Sequence, residues 1–351
     1  MRTIDWDDGA VCIIDQTLLP QECTTLVIRS VDDLVTQIQR LAVRGAMALG
    51  VAGALGVALA ASQASKGGSD VSAAVESAAA KLRAARPTAV NLSWGVNTVV
   101  ATHTSGGDIA DIVAAAVDVL EQDVRANREL SRRGAELLSG KRRILTHCNT
   151  GALAGVECGT ALGVIDAINA DRPLDLVLVC ETRPLLQGSR LTAWELGRSG
   201  IPHRVIVDSA AAGLILSGEV DAVVVGADRI TTDGDVINKV GTVGHALAAA
   251  RAGIPFLVAA PESTIDPGTA AGADVPIERR DELEVLEIAG TRMAPTTSRG
   301  LNPAFDVTPA DLVTAIVTES RAITEWPIPT LDPSAHRSSD AGPAQHPRST
   351  S

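Results

Sequence analysis

Apolar and polar positions change rhythm twice along the chain. Over residues 1–30, VCIIDQTLLP and TTLVIRS cluster β-branched residues around Pro20, and Asp7-Asp8-Gly9 supplies a hairpin turn. From Ser30 to about Asn127 the period becomes helical. Ser30 with Asp32 and Asp33 marks a helix start before an apolar-periodic body. Helical patterning continues over residues 46–65, 70–85 and 108–138, with loops at Gly67-Gly68 and Gly106-Gly107. Past residue 140, short apolar strands alternate with small-residue helices. RRILTH, DLVLVC, HRVIV, DAVVVG and IPFLVAA are the strands. Helices are expected near 151–168, 188–198, 209–217 and 239–252, and a last one over 308–320, capped by Thr308 with Pro309 in its first turn. This alternation predicts an α/β chain: a small β and helical domain over 1–127, then a Rossmann-like doubly wound parallel-sheet domain over 128–327. A disordered tail, poor in aliphatics, is expected over 328–351.

Composition narrows the function. The 351 residues carry a formal charge of −12, which disfavours nucleic-acid binding by counterion release and attraction to anionic membranes. The chain has no Tyr and only two Phe, so base-stacking platforms are disfavoured too. The longest apolar run, residues 46–61, is shorter than a membrane span and contains three glycines, which suits close helix packing. Five Cys without CxxC spacing, and an N-terminus without an apolar secretory stretch, predict free thiols in a cytoplasmic protein. The six His show no metal spacing, so no metal site is expected.

Ligands of an open α/β sheet bind beyond the carboxyl ends of its strands. Those ends carry Cys148, Glu181, Asp208 and Asp228. The joints Asn149-Thr150-Gly151 and Gln187-Gly188-Ser189 precede helices, whose free N–H groups favour phosphate. Neither GxGxxG nor GxxxxGK[ST] occurs, so a nucleotide cofactor is not expected. Strand alternation turns His147 and Cys148 to opposite faces, against a Cys–His dyad.

Seven motifs occur in one order: VRGA (43–46), RPTAVNL (86–92), LTHCNTGA (145–152), ETRPLLQGSRLTAWEL (181–196), GADRI (226–230), NKVGT (238–242) and NPAFDVTP (302–309). With them the chain resembles the methylthioribose-1-phosphate isomerases, a family shared with related sugar-1-phosphate isomerases and regulatory subunits of the initiation-factor 2B exchange complex. The likeness runs from about residue 5 to 325.

The resemblance implies an aldose–ketose isomerase of methionine salvage, a homodimer acting on a small sugar phosphate without cofactor or metal. It places the reactive pair on Cys148 and Asp228. Substrate contacts fall on Arg44, Gly45, Ala46, Arg86, Gln187, Asn238 and Lys239. A thiol beside helix-end amides is expected to ionise more easily than a free one. A buried Asp is expected to hold its proton and serve as an acid. Four positions depart from the family's usual residues: Met47, Asp233, Val243 and Leu301. They keep 5-deoxyribose 1-phosphate and ribose 1,5-bisphosphate in view as substrates. A non-catalytic regulatory scaffold is the competing class.

Overall fold

The structure is a computed structural model and describes residues 2–87 and 89–330. Strands β1 (Ile4–Asp7), β2 (Ala10–Ile14) and β3 (Thr25–Ile28) form an antiparallel sheet. Asp8 and Gly9 have φ of 44° and 72° between the paired Asp7 and Ala10. Positive φ at both central residues gives a two-residue turn whose twist matches its strands. Helix α1 (Val31–Gln39) begins where Ser30 Oγ accepts from Asp33 N at 3.1 Å.

Helices α2 (Ala46–Gly67), α3 (Val71–Ala85), α4 (Val90–Thr104) and α5 (Ile109–Leu137) follow. Helix α2 is long and apolar enough to cross a membrane, yet most of it is buried among the other three. Its glycines explain the packing. A Cβ on Gly95 of α4 would lie 1.9 Å from the Gly50 carbonyl oxygen, and one on Gly53 would lie 2.7 Å from that of Leu92. The two helices therefore cross with backbone against backbone. The expected division at residue 127 falls inside α5, a continuous helix that packs on α2 and on α6 (Ala161–Asp171).

The rest of the chain builds a sheet from β4 (Arg143–Thr146), β5 (Leu176–Cys180), β6 (His203–Ile206), β7 (Ala222–Val225), β10 (Phe256–Ala259), β14 (Ala315–Val317) and β15 (Ala322–Ile323). The order is β15-β14-β10-β7-β4-β5-β6, parallel except for the antiparallel edge strand β15. Helices α7 (Ala193–Arg198), α8 (Ala211–Leu216) and α9 (Thr242–Ala252) complete the crossovers. The chain winds from β4 toward β6 on one side and toward β14 on the other, which opens a crevice beyond β4 and β7. The protein is thus a mixed α/β fold, a parallel sheet beside a helical region. A small sheet of β8 (Arg229–Ile230), β9 (Val236–Lys239) and β13 (Phe305–Thr308) borders the crevice. The short α10 (Leu283–Leu286) and the ribbon of β11 (Glu287–Ile288) and β12 (Thr291–Arg292) lie between β10 and β13 in the chain.

The structure corrects several expected helices. Residues 308–320 hold the end of β13, a single turn and β14. The run Val313 to Val317 is β-branched apart from Ala315, and pairing with β10 outweighs the Thr-Pro start signal. The helix expected over 151–168 is one turn, a loop, and then α6 from Ala161. Gly159 packs against Thr150 O in that loop, closer than any Cβ would permit. The helix expected from 239 starts at Thr242, because residues 236–239 are spent on β9. Of the expected tail, Ile328 is packed on the sheet's core and donates its N–H to Thr232 O at 2.8 Å. Residues 331–351 lie outside the described residues.

The α2–α4 contact makes a prediction. Gly95→Ala forces a methyl group into the Gly50 carbonyl, so unfolding free energy in urea drops by about 3 kcal/mol. Substitution of Gly213, which has open space around it, leaves stability within about 0.5 kcal/mol beyond the helix-propensity change.

Candidate active site

Cys148 follows β4 with φ of 62°, a conformation that side chains rarely adopt. Neighbours hold it there. Its N–H donates to Thr182 Oγ1 at 2.9 Å, and its carbonyl accepts from Thr192 Oγ1 at 2.7 Å. Thr182, itself at φ 65°, donates its hydroxyl to Cys180 O. Asp208 accepts the N–H groups of Thr182 and Arg183, each at 2.7 Å. Asp208 thus positions the loop beneath Cys148 and stays outside the cavity lining, as does Glu181. Of the four strand-end residues nominated from sequence, Cys148 and Asp228 reach the cavity.

That cavity has a volume of about 320 Å³. All nine site residues expected from sequence line it: Cys148, Asp228, Arg44, Gly45, Ala46, Arg86, Gln187, Asn238 and Lys239. Gly45 starts α2 at φ 96°, and a Cβ there would sit 2.6 Å from Ala154 Cα. No side chain caps α2, so its first amides open onto the cavity through Ala46 and Met47. This is a ready site for an anion. Arg44 donates to the side chain and carbonyl of Asn149, while its Nε is buried without a protein partner. Gln187 Oε1 is likewise buried and unpartnered in the lining. Such unsatisfied polar atoms beside a cavity fit groups that wait for a ligand. Lys239 Nζ donates to Ala304 O at 2.8 Å and sits 4.8 Å over the Phe305 ring. Of the four departures from the family pattern, only Met47 touches the cavity.

The Asp228 side chain is open to the cavity, yet the protein packed around it desolvates the carboxyl and pushes it up, against the opposing pull of Lys239, Arg86 and Arg44. Burial also pushes the Cys148 thiol up, and Arg44 and Lys239 only partly offset it. This corrects the expectation of an easily ionised thiol: desolvation outweighs the helix-end amides. Both groups are thereby shifted toward their neutral, proton-bearing forms. His147 does not line the cavity. It turns away to donate Nε2–H to Val240 O, so no Cys–His dyad forms.

Glu195 escapes sequence reasoning because it reads as an ordinary helix carboxylate. It is half-buried and accepts from Asn149 Nδ2 at 2.7 Å and from Leu153 N at 3.4 Å. Gly151 gives it room, since a Cβ there would lie 2.4 Å from the carboxylate oxygens. Arg190, Glu278 and Arg280 also line the cavity and were not singled out. Arg190 donates to the carbonyls of Gln16 and Leu19, and Arg280 is paired with Glu284, so both are spent on structure.

Desolvation raises Glu195 from 4.5 to about 7. Between those pH values the unfolded chain releases this proton and the folded chain keeps it, so folded stability falls as pH rises through the window and levels off above it. The difference is about 3 kcal/mol. In urea unfolding from pH 4.5 to 7, the stability of the native protein relative to Glu195→Gln should therefore fall by that amount. A gap independent of pH would contradict this assignment.

Residues 42–325 match the Initiation factor 2 subunit family. A methylthioribose-1-phosphate isomerase from Gloeobacter violaceus is 46% identical over 324 residues, covering 91% of this chain and 92% of its own. A probable bifunctional methylthioribose-1-phosphate isomerase/methylthioribulose-1-phosphate dehydratase from Nocardia farcinica is 50% identical over 329 residues. The match covers 91% of this chain but 59% of that relative, so the chain spans less than two thirds of its length. The crystal structure of 5-methylthioribose 1-phosphate isomerase from Pyrococcus horikoshii superposes with a TM-score of 0.86 at 39% identity, covering 93% of each chain. That of the translation initiation factor eIF-2B, subunit delta, from A. fulgidus gives 0.82 at 41% identity, covering 92% of this chain and 96% of its own. With four fifths of its length inside the family match and relatives aligned almost end to end, the chain belongs to the initiation factor 2 subunit family.

Proposed function

We propose that this chain is an aldose–ketose isomerase that converts 5-methylthioribose 1-phosphate to 5-methylthioribulose 1-phosphate in methionine salvage. The observation that carries the reading is the convergence of Cys148 and Asp228 on one cavity into which the uncapped start of α2, Arg44 and Arg86 also open. The amides and guanidiniums suit a phosphate dianion. Gln187, Asn238 and Lys239 suit sugar hydroxyls. The names of the relatives from Gloeobacter and Pyrococcus point to the same reaction.

The substrate's anomeric carbon bears the phosphate, so the ring opens only with acid assistance. Asp228, whose carboxyl desolvation pushes up, donates a proton to the ring oxygen as the bond from C1 breaks. Hydrogen then moves from C2 to C1, and the C2 hydroxyl loses its proton as the ketone forms. Cys148 is placed to carry a proton in that exchange. The phosphate ester stays intact throughout. A second chamber of about 280 Å³ shares Gly45, Arg86, Asp228 and Phe305 with the first. Leu49, Val90, Ile237, Val275 and Pro276 line it, with Asn91 and the carboxylate of Glu278 beside them. Arg229 at its edge is paired with Asp266 at 3.2 Å. This chamber favours a methylthio group over a second phosphate. The reading extends to a Rossmann-like, doubly wound sheet domain carrying the reactive pair, and to a cytoplasmic homodimer.

Purified protein should turn methylthioribose 1-phosphate into ketose. Cys148→Ala and Asp228→Asn should each lower kcat by roughly 10²–10⁴-fold with folding retained. Ribose 1,5-bisphosphate should show kcat/KM lower by about tenfold or more. A native protein silent on these two and on 5-deoxyribose 1-phosphate would overturn the enzyme reading. The structural likeness to the initiation factor subunit would then favour a regulatory scaffold.

A further inference from the structure

We propose that His147, Cys180 and His245 form a binding site for a thiophilic d10 cation, zinc(II) or copper(I), directly behind the cavity. The proposal is independent of the isomerase reading. The three residues are 33 and 65 positions apart in sequence, so spacing hides them. Folding places them at the exit of β4, the end of β5 and the first turns of α9, and all three are buried.

The geometry is that of a ligand set. His147 Nδ1 and His245 Nε2 lie 3.3 Å apart, and His245 Nε2 lies 3.6 Å from Cys180 Sγ. The three atoms all fall within 4.8 Å of one another, and the longest edge, His147 Nδ1 to Cys180 Sγ, closes toward about 3.6 Å when an ion bridges all three. Zinc bonds of about 2.0–2.1 Å to nitrogen and 2.3 Å to sulfur give tetrahedral edges of about 3.4 and 3.6 Å. The rings cross at 66° with centroids 4.8 Å apart, so the nitrogen edges converge without the faces stacking. His147 Nε2 lies 2.9 Å from Val240 O. A carbonyl only accepts, so Nε2 carries the proton and the Nδ1 lone pair points into the cluster. An outer-shell hydrogen bond of this kind orients and fixes the tautomer of metal-bound imidazoles.

The electrostatics agree. Burial lowers His147 to about 4 and His245 to about 3, which keeps both imidazoles neutral and available as donors. Burial raises the Cys180 thiol, so binding replaces its proton: Cys180–SH plus the cation gives the metal thiolate and one released proton. Asp208 acts on both Cys180 and His245, and Glu181 on Cys180, which together favour added positive charge; Lys239 opposes it at His147. Thiolate with imidazole selects zinc or copper(I) over magnesium or calcium. A bound ion would clamp the exits of β4 and β5, the two segments that hold Cys148 through Thr182.

The test is anaerobic titration of the full chain with cobalt(II), zinc(II) and copper(I). Cobalt should bind at one equivalent with a thiolate-to-metal charge-transfer band, which zinc displaces. Cys180→Ala and His245→Leu should abolish the band and weaken zinc binding by more than roughly 100-fold, beyond the loss of an outer-shell partner. Cys148→Ala should retain it. Added zinc or copper(I) should raise the thermal midpoint of the native protein and of Cys148→Ala only. The stronger competitor against a chelator of each ion assigns the metal. X-ray absorption on the zinc-loaded native protein should show one sulfur and two imidazoles, a readout that needs no variant to fold. Absence of tight binding, a band that survives in both variants, or a shell without sulfur overturns the site.

Discussion

Arg44 reaches from the turn before α2 and closes its guanidinium on Asn149, which Glu195 holds at 2.7 Å. Three separate parts of the chain meet in that contact: the helical region, the loop after β4, and α7. Asn149 is buried and Arg44 and Glu195 are half-buried, so a missing partner there costs more than a surface pair would gain. The relay therefore fixes the approach of the helical region to the sheet. Gly45 shows how tight that approach is, since even a methyl group would collide with Ala154. The open start of α2 faces Cys148 and Asp228 across the cavity because this distance is set.

Much of the architecture was legible because its signals were local. β-branched runs bounded by charged or turn residues located β4, β5, β6, β7 and β10, and the Asp8-Gly9 turn and Ser30 cap appeared as read. The sheet of β8, β9 and β13 was not legible. Its strands are two to four residues long, and its pairing joins Val236–Lys239 to Phe305–Thr308 across some seventy residues of chain. The expected helix at 308–320 failed for the same reason: a vacant position beside β10 decided the conformation, and no local pattern reports a vacancy.

The site shows the same division. Topology nominated four strand-end residues, because a parallel sheet sends its loops to one side; Cys148 and Asp228 line the cavity, and Glu181 and Asp208 do not. Glu195 and the His147–Cys180–His245 cluster were missed, because each acquires its meaning from partners distant in sequence. Cys148 lines the cavity, and its thiol is shifted opposite to the direction that its place in the chain suggests. Helix-end amides argue for a thiolate, but the desolvation that comes with closing the cavity is larger, and only the folded structure shows how complete that closure is.

Burial also bears on how an isomerase of this design would work. In the empty cavity Arg44, Arg86 and Lys239 pull the Asp228 carboxyl down while desolvation pushes it up. A phosphate dianion settling against Arg44 and Arg86 neutralises much of that pull. The carboxyl then holds its proton more firmly at the moment the ring oxygen needs it, and the same shift acts on Cys148, which shares Arg44 and Lys239. Phosphate binding would thus both anchor the sugar and arm the acid. Binding energy at a group that does not react would in this way lower the barrier at the one that does. On this argument an analogue with an uncharged alkoxy group at C1 in place of the phosphate, which still needs acid to open, loses turnover as well as affinity, because the cations it leaves unmet keep drawing the proton off Asp228.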